Sequence, residues 1–443
     1  MLHPFDDISP ADARALARDF ASPLYLICER TLRARLMELQ TALQRMTSNG
    51  VIAYSYKTNP LHGLISLLHR DGAWAEVVSG HEYQLARSLG VPAGQIVFNG
   101  PAKSDDDLAQ AVADGCMLNA DNLAELQRLA ALGTALNRPL PVGIRLVVER
   151  CDEAWSRFGF DWHSGEAWRC IEWIHRQPGL RLAGLHCHLG TNIRDLERFR
   201  QMGQTLAEVV TQLRQKYGTE LQWLDIGGGL AGISPRWDEP RSSVYPPMSA
   251  ESYLQAALPA LLAVAPNCRI ILEPGRTLVD ACGGLLMSVI GSRGERSWIV
   301  DGGINVSPTV RTYRHPLRLA AGGSADGETA VTRLLGNSCM NHDCITDQAQ
   351  LPPLQQGDLL LMQGLGAYNL SRTVPFIHLR PGCALWRGAG QAAEWLRLPE
   401  QFSDSQHLER IPIPAVRTCS PNFPDDHTLN TDTKQEVEWL LKS

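Results

Sequence analysis

Short apolar runs rich in β-branched residues alternate with segments of helical periodicity between residues 51 and 273. Eight runs predict strands: VIAYS at 51, WAEVV at 74, IVF at 96, CML at 116, VGIRLVV at 142, LAGLHCH at 182, QWLDI at 222 and RIILE at 269. The linking segments carry helix signals, such as Ser104 before a first turn of three acids and Gly115 after the last turn. Because buried parallel strands need helical crossovers, eight successive units predict a (β/α)8 barrel.

The composition of the sequence changes after Glu273, where glycine, serine and proline become more frequent and no long helical pattern follows. Four short runs in this part predict strands: LLMSVIG at 285, SWIVDGG at 297, DLLLMQG at 358 and FIHL at 376. The early run PLYLI at 23–27 is expected to join them. The predicted organisation is an N-terminal segment at 1–50, a barrel at 51–275, a β-rich domain at 276–398 and a polar C-terminal extension at 399–443.

Composition excludes several classes of protein. The 443 residues carry a net charge of −6 with no basic block, so nucleic acid is not an expected partner. The longest apolar stretch, Leu254–Ala265, is too short to span a bilayer, and Pro259 is expected to break it. The N-terminus has no apolar run after a basic start, so we expect a cytoplasmic protein without a membrane partner. The 11 cysteines include no C-x-x-C pair, which predicts neither a zinc site nor a disulfide framework.

Polar residues cluster where six of the predicted strands end. They are Lys57 after the first strand, Glu76 at the second, Arg145 at the fifth, His186 and His188 at the sixth, Asp225 and the triple glycine 227–229 at the seventh, and Glu273, Gly275 and Arg276 at the eighth. The carboxyl ends of barrel strands form one rim, and barrel enzymes carry their chemistry there. The sequence therefore predicts an active site at this rim.

The residue types at the rim suggest specific chemistry, although each also has an ordinary interpretation. Lys57 is either a surface lysine or a nucleophilic amine activated by partial desolvation and a cationic neighbour. The triple glycine is either a flexible loop or, with Arg276, a phosphate cradle. Glu273 either pairs with an arginine or holds a protonated ring nitrogen, and His188 is either a core histidine or a ring-stacking face. Taken together, these features fit pyridoxal phosphate.

A metal site is the other interpretation of the paired histidines. His186 and His188 are two residues apart on one strand and share a face. Neither has a carboxylate or thiol beside it at ligand spacing in the sequence. We therefore predict no metal.

Eight motifs together resemble the fold-type III pyridoxal-phosphate decarboxylases, in the branch that contains diaminopimelate decarboxylase. They are YSYKTN, AEVVSGHE, WSRFGF, LHCHLGTN, LDIGGGL, EPGR, NSCMNHD and GAY, and the similarity runs from about residue 23 to 368. The resemblance implies an alanine-racemase-like barrel with a C-terminal β-rich domain. It also implies a head-to-tail homodimer in which each subunit lends a loop to the other subunit's site.

The resemblance also implies roles for individual residues. Lys57 would be the Schiff-base lysine, and Cys339 the acid that reprotonates the decarboxylated carbon. The implied cofactor contacts are Glu76, Arg145, His188, Thr191, Gly227, Gly228, Gly229, Glu273, Gly275, Arg276 and Tyr368. The implied substrate contacts are Arg311, Tyr313, Met340 and Asp343.

The expected substrate follows from departures from the family pattern. Diaminopimelate decarboxylases usually carry C-E-S-x-D, whereas this chain has Met340 in place of the glutamate that reads the distal end of the substrate. Arg311 is also displaced from the family's Arg-Pro position. These departures favour a citrate-type siderophore intermediate as the substrate, with meso-diaminopimelate as the alternative. An amino-acid racemase is disfavoured by Glu273, and a non-catalytic cofactor-binding protein by the β-rich domain with Cys339 and Tyr368.

Overall fold

All eight strands predicted between residues 51 and 273 are present, and they pair in parallel around a closed barrel. The computed structural model describes residues 4–149, 157–239, 248–323, 327–406 and 408–409. The chain divides into two units, Met1–Glu400 and Gln401–Ser443. The first unit holds the barrel and a second, β-rich sheet, so the predicted fold class is confirmed.

Strands and helices largely alternate through the barrel, whereas strands predominate after it. The strands are β1 Leu24–Cys28, β2 Gly50–Ser55, β3 Trp74–Val77, β4 Ile96–Phe98, β5 Met117–Ala120, β6 Leu140–Val147, β7 Phe160–Asp161, β8 Leu180–Cys187, β9 Trp223–Asp225, β10 Arg269–Leu272, β11 Gly283–Ser292, β12 Ser297–Val300, β13 Leu317–Ala321, β14 Ala330–Leu335, β15 Cys344–Leu351, β16 Leu359–Gln363, β17 Cys383–Trp386 and β18 Glu394–Arg397. The helices are α1 Pro10–Phe20, α2 Glu29–Met46, α3 His62–Arg70, α4 Gly80–Ser88, α5 Asp105–Asp114, α6 Leu123–Ala135, α7 Glu166–His175, α8 Leu196–Tyr217, α9 Ala250–Val264, α10 Arg276–Val279 and α11 Phe402–Gln406.

The barrel strands follow the order β5-β4-β3-β2-β10-β9-β8-β6, and pairing of β5 with β6 closes the ring. The short strand β7 pairs with β6 outside this ring. Apolar side chains at the base of the barrel form one small cluster, Ala53, Val97, Ala183, Trp223 and Ile271. Since all strands run in the same direction, their carboxyl ends open on one rim.

The helix signals in the sequence work largely as predicted. Ser104 caps α5 in a capping box, and Gly115 ends the helix in the left-handed region with φ 79°. Asn122 caps α6, and its side chain accepts from the Glu125 N–H.

Two predictions about irregular segments were wrong. Helix α9 continues through Pro259, so the expected break is absent. The FIHL run at 376–379 is a loop and not a strand. Pro375 and Pro381 flank this run, and neither can donate the N–H that a strand ladder needs.

The second sheet has the order β15-β14-β12-β11-β1-β17-β18, with β16 joining β11 to β13. Strand β1, from the N-terminal segment, lies at its centre between β11 and β17. The predicted domain boundaries themselves stay predictions. In the second unit the described residues include α11, and most of the predicted C-terminal extension lies outside the described residues. Among the described residues, no helix is both long and apolar enough to cross a membrane.

Candidate active site at the barrel rim

A cavity of about 340 Å³ opens at the carboxyl ends of the barrel strands. Ten predicted site residues line it: Lys57, Glu76, Arg145, His188, Thr191, Gly229, Glu273, Gly275, Arg276 and Tyr368. Among the lining residues without a predicted role are Ser55, Asn99, Phe158 and His186. The other predicted residues lie outside the lining: Gly227, Gly228, Arg311, Tyr313, Cys339, Met340 and Asp343.

Lys57 lies in a short 3-10 turn that directly follows β2, and its amine donates to Glu76 Oε2 at 2.6 Å. Burial lowers the pKa of Lys57, but the charges of Glu76 and Glu273 raise it, and the net pKa is above its ordinary value. The sequence predicted a cationic neighbour for Lys57, but the charges that act on its amine most strongly are the carboxylates of Glu76 and Glu273. Glu76 is therefore the carboxylate that pairs directly with the Lys57 ammonium.

Glu273 forms a buried cluster with His186 and Asp225. Its carboxylate lies 3.5 Å from His186 Nε2 and accepts from the Asn99 amide at 2.5 Å. Burial raises the pKa of Glu273, but His186, hydrogen bonding with Asp225 and the charge of Lys57 lower it below its ordinary value. Burial and the adjacent Glu273 charge raise the pKa of Asp225 well above its ordinary range. These opposite shifts favour a proton on Asp225 and the charged form of Glu273.

The same three residues form a group that could in principle bind a metal ion, although the sequence predicts no metal. His186, Asp225 and Glu273 each place one ligand atom within 4.8 Å of the others. The premise that no carboxylate lies beside His186 was wrong, because the fold brings two carboxylates from β9 and β10 to it. Asp225 accepts from the Gly227 N–H and the Asn119 amide, and one proton shared with Glu273 accounts for their proximity without a cation.

His188 is held as a neutral ring. The Gly228 N–H donates to its Nδ1 at 3.1 Å, which leaves the ring proton on Nε2. Burial, with the charges of Arg145 and Lys57, lowers the pKa of His188 to about 3. A neutral imidazole without a charge of its own suits a flat stacking face over an aromatic ring.

The triple glycine is required by close approach between the ends of β8 and β9. A Cβ on Gly227 would lie 2.3 Å from the Cys187 carbonyl oxygen, and one on Gly229 would lie 2.6 Å from that of Gly190. Both residues have positive φ, 64° for Gly227 and 89° for Gly229. This loop borders the cavity with its backbone, which suits an anion.

Arg276 faces the cavity with donors that are not fully used. Its side chain is 5% exposed, its Nε has no hydrogen-bond partner, and its nearest carboxylate oxygen, on Asp280, is 3.5 Å away. The guanidinium stacks 4.2 Å from the Tyr313 ring centre and 5.2 Å from that of Tyr368. A buried guanidinium with free donors beside a glycine loop fits a phosphate group.

The loop that carries Cys339 lies outside the cavity lining of its own chain. Cys339 is exposed, and the buried Asp343 carboxylate accepts from the Ile304 N–H at 2.9 Å and the Ser338 N–H at 3.0 Å. Asp343 therefore holds its own loop together and is not directed into the cavity of its chain. Met340 is half-buried against the core, and Arg311 is exposed.

Asp280 connects Arg276 with the segment that follows the triple glycine, and both are expected to bind a phosphate. Its carboxylate accepts from the Ile233 N–H at 3.1 Å and the Ser234 N–H at 3.3 Å, beyond the triple glycine, and it pairs with Arg276. Asp280→Asn turns an amide N–H₂ toward Arg276, so we expect about tenfold weaker binding of pyridoxal phosphate. Binding of pyridoxal, which lacks the phosphate, should be unchanged when both are measured by absorbance titration.

Asp358→Asn is the matched control for that experiment. Asp358 is also buried and accepts backbone N–H groups, from Gly323 at 2.9 Å and Gln355 at 2.9 Å, but it directly precedes β16 of the second sheet. It should leave both affinities unchanged. Equal weakening of pyridoxal and pyridoxal phosphate by Asp280→Asn would contradict the connecting role.

His315 is buried next to Ser234 and Thr309, and its surroundings predict that the stability of the fold depends on pH. Its ring bonds Thr309 Oγ1 at 2.9 Å and Ser234 Oγ at 3.3 Å, and burial together with the Arg276 charge lowers its pKa to about 3. The unfolded chain binds a proton below about pH 6.5 that the folded chain does not bind. Stability should therefore fall as pH drops from 6.5 toward 3, by up to about 1.4 kcal/mol per pH unit for this group.

Thermal melts between pH 5 and 7 test this dependence. His315→Gln should reduce the slope of the free energy of unfolding against pH by about one proton, whereas the exposed His81→Gln should leave it as in the parent chain. A slope that is unchanged by His315→Gln would contradict the assignment.

Comparison with known proteins agrees with this geometry. Residues 29–280 match the family described as "Pyridoxal-dependent decarboxylase, pyridoxal binding domain". The diaminopimelate decarboxylase of Synechocystis sp. is 29% identical over 437 residues, covering 92% of this chain and 90% of that protein. The diaminopimelate decarboxylase of Bacillus subtilis is 29% identical over 386 residues, covering 82% of this chain and 86% of that protein.

Solved structures agree on the fold. The diaminopimelate decarboxylase of M. jannaschii in complex with L-lysine superposes with a TM-score of 0.82 at 23% identity, covering 93% of this chain and 99% of that chain. The lysine/ornithine decarboxylase of Vibrio vulnificus complexed with putrescine has a TM-score of 0.72 at 24% identity, covering 86% of this chain and 99% of that chain.

This chain belongs to the pyridoxal-dependent decarboxylase family. It is a carboxy-lyase whose cofactor is pyridoxal phosphate, in the diaminopimelate decarboxylase-like branch. The residues at the rim fit that cofactor, since they supply an amine, an anionic partner for a ring nitrogen, a neutral stacking ring and a guanidinium with free donors. Asn99 has no role in the sequence prediction. It directly follows β4, so the strand-end rule applied to the fourth strand could have found it.

Proposed function

We propose that this chain removes the α-carboxylate of an amino acid and that meso-diaminopimelate is its substrate. The buried Glu273 carboxylate, which lines the same cavity as the Lys57 amine, is the observation that supports decarboxylation. The substrate is supported by relatives named diaminopimelate decarboxylase that match about nine-tenths of this chain. This is the alternative of the sequence analysis, and the comparisons favour it over the citrate-type intermediate.

Each side chain at the rim has a separate role in the proposed decarboxylation. Bound pyridoxal phosphate supplies an electron sink for the pair of electrons left when carbon dioxide departs. Glu273 would hold a proton at the ring nitrogen, which would strengthen that sink, and His188 would cover one face of the ring. The glycine loop and Arg276 would hold the phosphate. Glu76 accepts and returns the proton of the Lys57 amine.

Proton return to the substrate carbon is assigned to Cys339 of a second subunit. Cys339 is exposed and lies outside the cavity lining of its own chain. A head-to-tail homodimer that places this loop over the neighbouring cavity accounts for both facts. The same arrangement brings Met340 toward the distal end of the substrate.

Mixing two inactive variants tests the shared site. Lys57→Ala and Cys339→Ala should each be nearly inactive, and their mixture should recover part of the activity, because a hybrid dimer contains one intact site. Cys344→Ala, a half-buried cysteine five residues away, is the control and should stay active alone. No recovery in a mixture shown to exchange subunits would contradict shared sites.

One observation supports a different substrate, an amino-acid conjugate that carries additional carboxylates. Met340 replaces the family's distal glutamate, and a thioether cannot pair with the distal ammonium of diaminopimelate. The exposed Arg311 could instead receive a carboxylate of an acid-bearing amino-acid conjugate such as a citrate-type siderophore intermediate.

Carbon-dioxide release decides between the two substrates. The purified chain should turn over meso-diaminopimelate with kcat/KM of about 10⁴ M⁻¹s⁻¹ or more, and citryl amino-acid conjugates at least about tenfold less efficiently. Efficient release from a conjugate, with only trace release from diaminopimelate, would overturn the proposed substrate and leave the decarboxylase assignment intact.

A further inference from the structure

A chain of buried hydrogen bonds runs from the base of the barrel to the rim. We propose that Trp223, acting through Asn119 and Asn99, is a positioning residue that fixes the direction of this chain so that N–H donors reach Glu76 and Glu273. The inference rests on the proposed function, in which these two carboxylates serve the reactive amine and the cofactor ring.

The links of this chain are short and enclosed. Trp223 Nε1 donates to Asn119 Oδ1 at 3.0 Å, and Asn119 Nδ2 donates to Asn99 Oδ1 at 2.9 Å. Asn99 Nδ2 then donates to Glu273 Oε1 at 2.5 Å and to Glu76 Oε1 at 3.2 Å. All five side chains are buried, with at most 4% exposed. Each donor matters in such a buried chain, because a buried polar atom that loses its partner is costly.

The indole fixes the direction at the base of the chain because it is a donor only. An amide can present either its oxygen or its N–H₂ group, so the two asparagines take their direction from the donor at one end and the carboxylates at the other. The Trp223 N–H requires the Asn119 oxygen to face it, which turns the Asn119 N–H₂ toward Asn99. That in turn directs the Asn99 N–H₂ to both carboxylates. The reverse orientation would place a carbonyl oxygen against two carboxylates.

The barrel makes room for this arrangement with two glycines. A Cβ on Gly184 of β8 would lie 2.1 Å from Trp223 Nε1, and a Cβ on Gly143 of β6 would lie 2.0 Å from Asn119 Oδ1. Trp223 itself packs in an apolar cluster with Ala53, Val97, Ala183 and Ile271. Polar side chains in such a place are costly unless they are hydrogen-bonded, so the tryptophan and the asparagine are mutually required.

The consequence reaches Lys57 through its carboxylate partners. Hydrogen bonds to a carboxylate favour its charged form, and removing them raises its pKa. A carboxylate that takes up a proton no longer stabilises the neighbouring ammonium of Lys57. Breaking the chain at Trp223 should therefore make the Lys57 amine lose its proton more readily.

Competitive acetylation of the full-length, cofactor-free chain measures this directly. With trace acetic anhydride at pH 9, the labelling rate of Lys57 is compared with that of Lys216, an exposed lysine in the same sample. Trp223→Phe keeps an aromatic ring and removes the N–H, and it should raise the ratio about threefold, which corresponds to about half a pKa unit. Asn99→Leu removes both final donors and should raise it about tenfold.

Two further variants complete the experiment. Trp74→Phe makes the same change elsewhere at the base of the barrel and should leave the ratio unchanged. If Trp223→Phe does not fold, benzothienylalanine at 223 keeps the indole shape without the N–H and should give the same threefold rise. An unchanged ratio in a folded variant that lacks only this N–H would overturn the inference.

The labelling result is independent of the proposed substrate and reaction. It needs neither cofactor nor substrate, so failure of decarboxylation would leave a raised Lys57 ratio standing. Conversely, normal decarboxylation combined with unchanged labelling in the Trp223 variants would overturn the positioning role alone.

Discussion

Replacing Lys57 with alanine should abolish decarboxylation, with a loss of about 10⁴-fold or more in kcat. The amine lies 2.6 Å from Glu76 in the cavity at the rim, and in the described part of the chain no other lysine lines that cavity. The variant should also lose the visible absorbance of covalently attached cofactor. Carbon-dioxide release and the absorption spectrum check both effects.

Lys216→Ala is the matched control for this replacement. Lys216 pairs with Glu172 on an exposed surface, so its removal should change neither absorbance nor rate. The fold should survive Lys57→Ala, because the turn that holds it lies at the rim and not in the core. Substantial turnover by a folded Lys57→Ala protein would contradict the assigned chemistry.

Replacing Glu273 with glutamine should lower kcat by about 10²- to 10³-fold while the cofactor stays attached. The glutamine keeps the size of the side chain and can still accept hydrogen bonds, but it carries no charge to hold a proton at the ring nitrogen. The electron sink is weakened, whereas the contacts of Lys57 and Arg276 remain. Steady-state rates and the absorption spectrum separate these two effects.

The control for Glu273 is Glu82→Gln. Glu82 is also a buried acid near the rim, where it accepts from the Val78 N–H at 2.8 Å, and its replacement should lower kcat by less than about tenfold. A Glu273→Gln protein that retains its rate within a factor of about three would contradict the role of an anionic ring partner.

The barrel was predictable because each strand is a short apolar run and each crossover has a local cap. The rim was predictable for the same reason, since a polar residue such as Lys57 or Glu273 directly follows an apolar strand. Local pattern failed at FIHL, where prolines outweigh β-propensity. It also failed for the surroundings of Lys57, where the expected cationic neighbour is replaced by the carboxylate of Glu76 on the adjacent strand.

The orientation of the Asn99 and Asn119 amides could not be predicted from the sequence either. It depends on the donor-only Trp223 and on the space left by two glycines of neighbouring strands. The same limit applies to the Cys339 loop. Its residues were recognisable by resemblance, yet their relation to a cavity depends on a second subunit.

Borohydride reduction followed by peptide mapping tests the central claim most directly. The chain has five lysines, Lys57, Lys103, Lys216, Lys434 and Lys442, so the attachment point is unambiguous. Lys103 is an informative competitor, because it is fully buried in an ion pair with Glu125. We expect the reduced cofactor on the peptide that contains Lys57 and on no other. A stoichiometric label on Lys103 or any other lysine, with Lys57 unmodified, would contradict it.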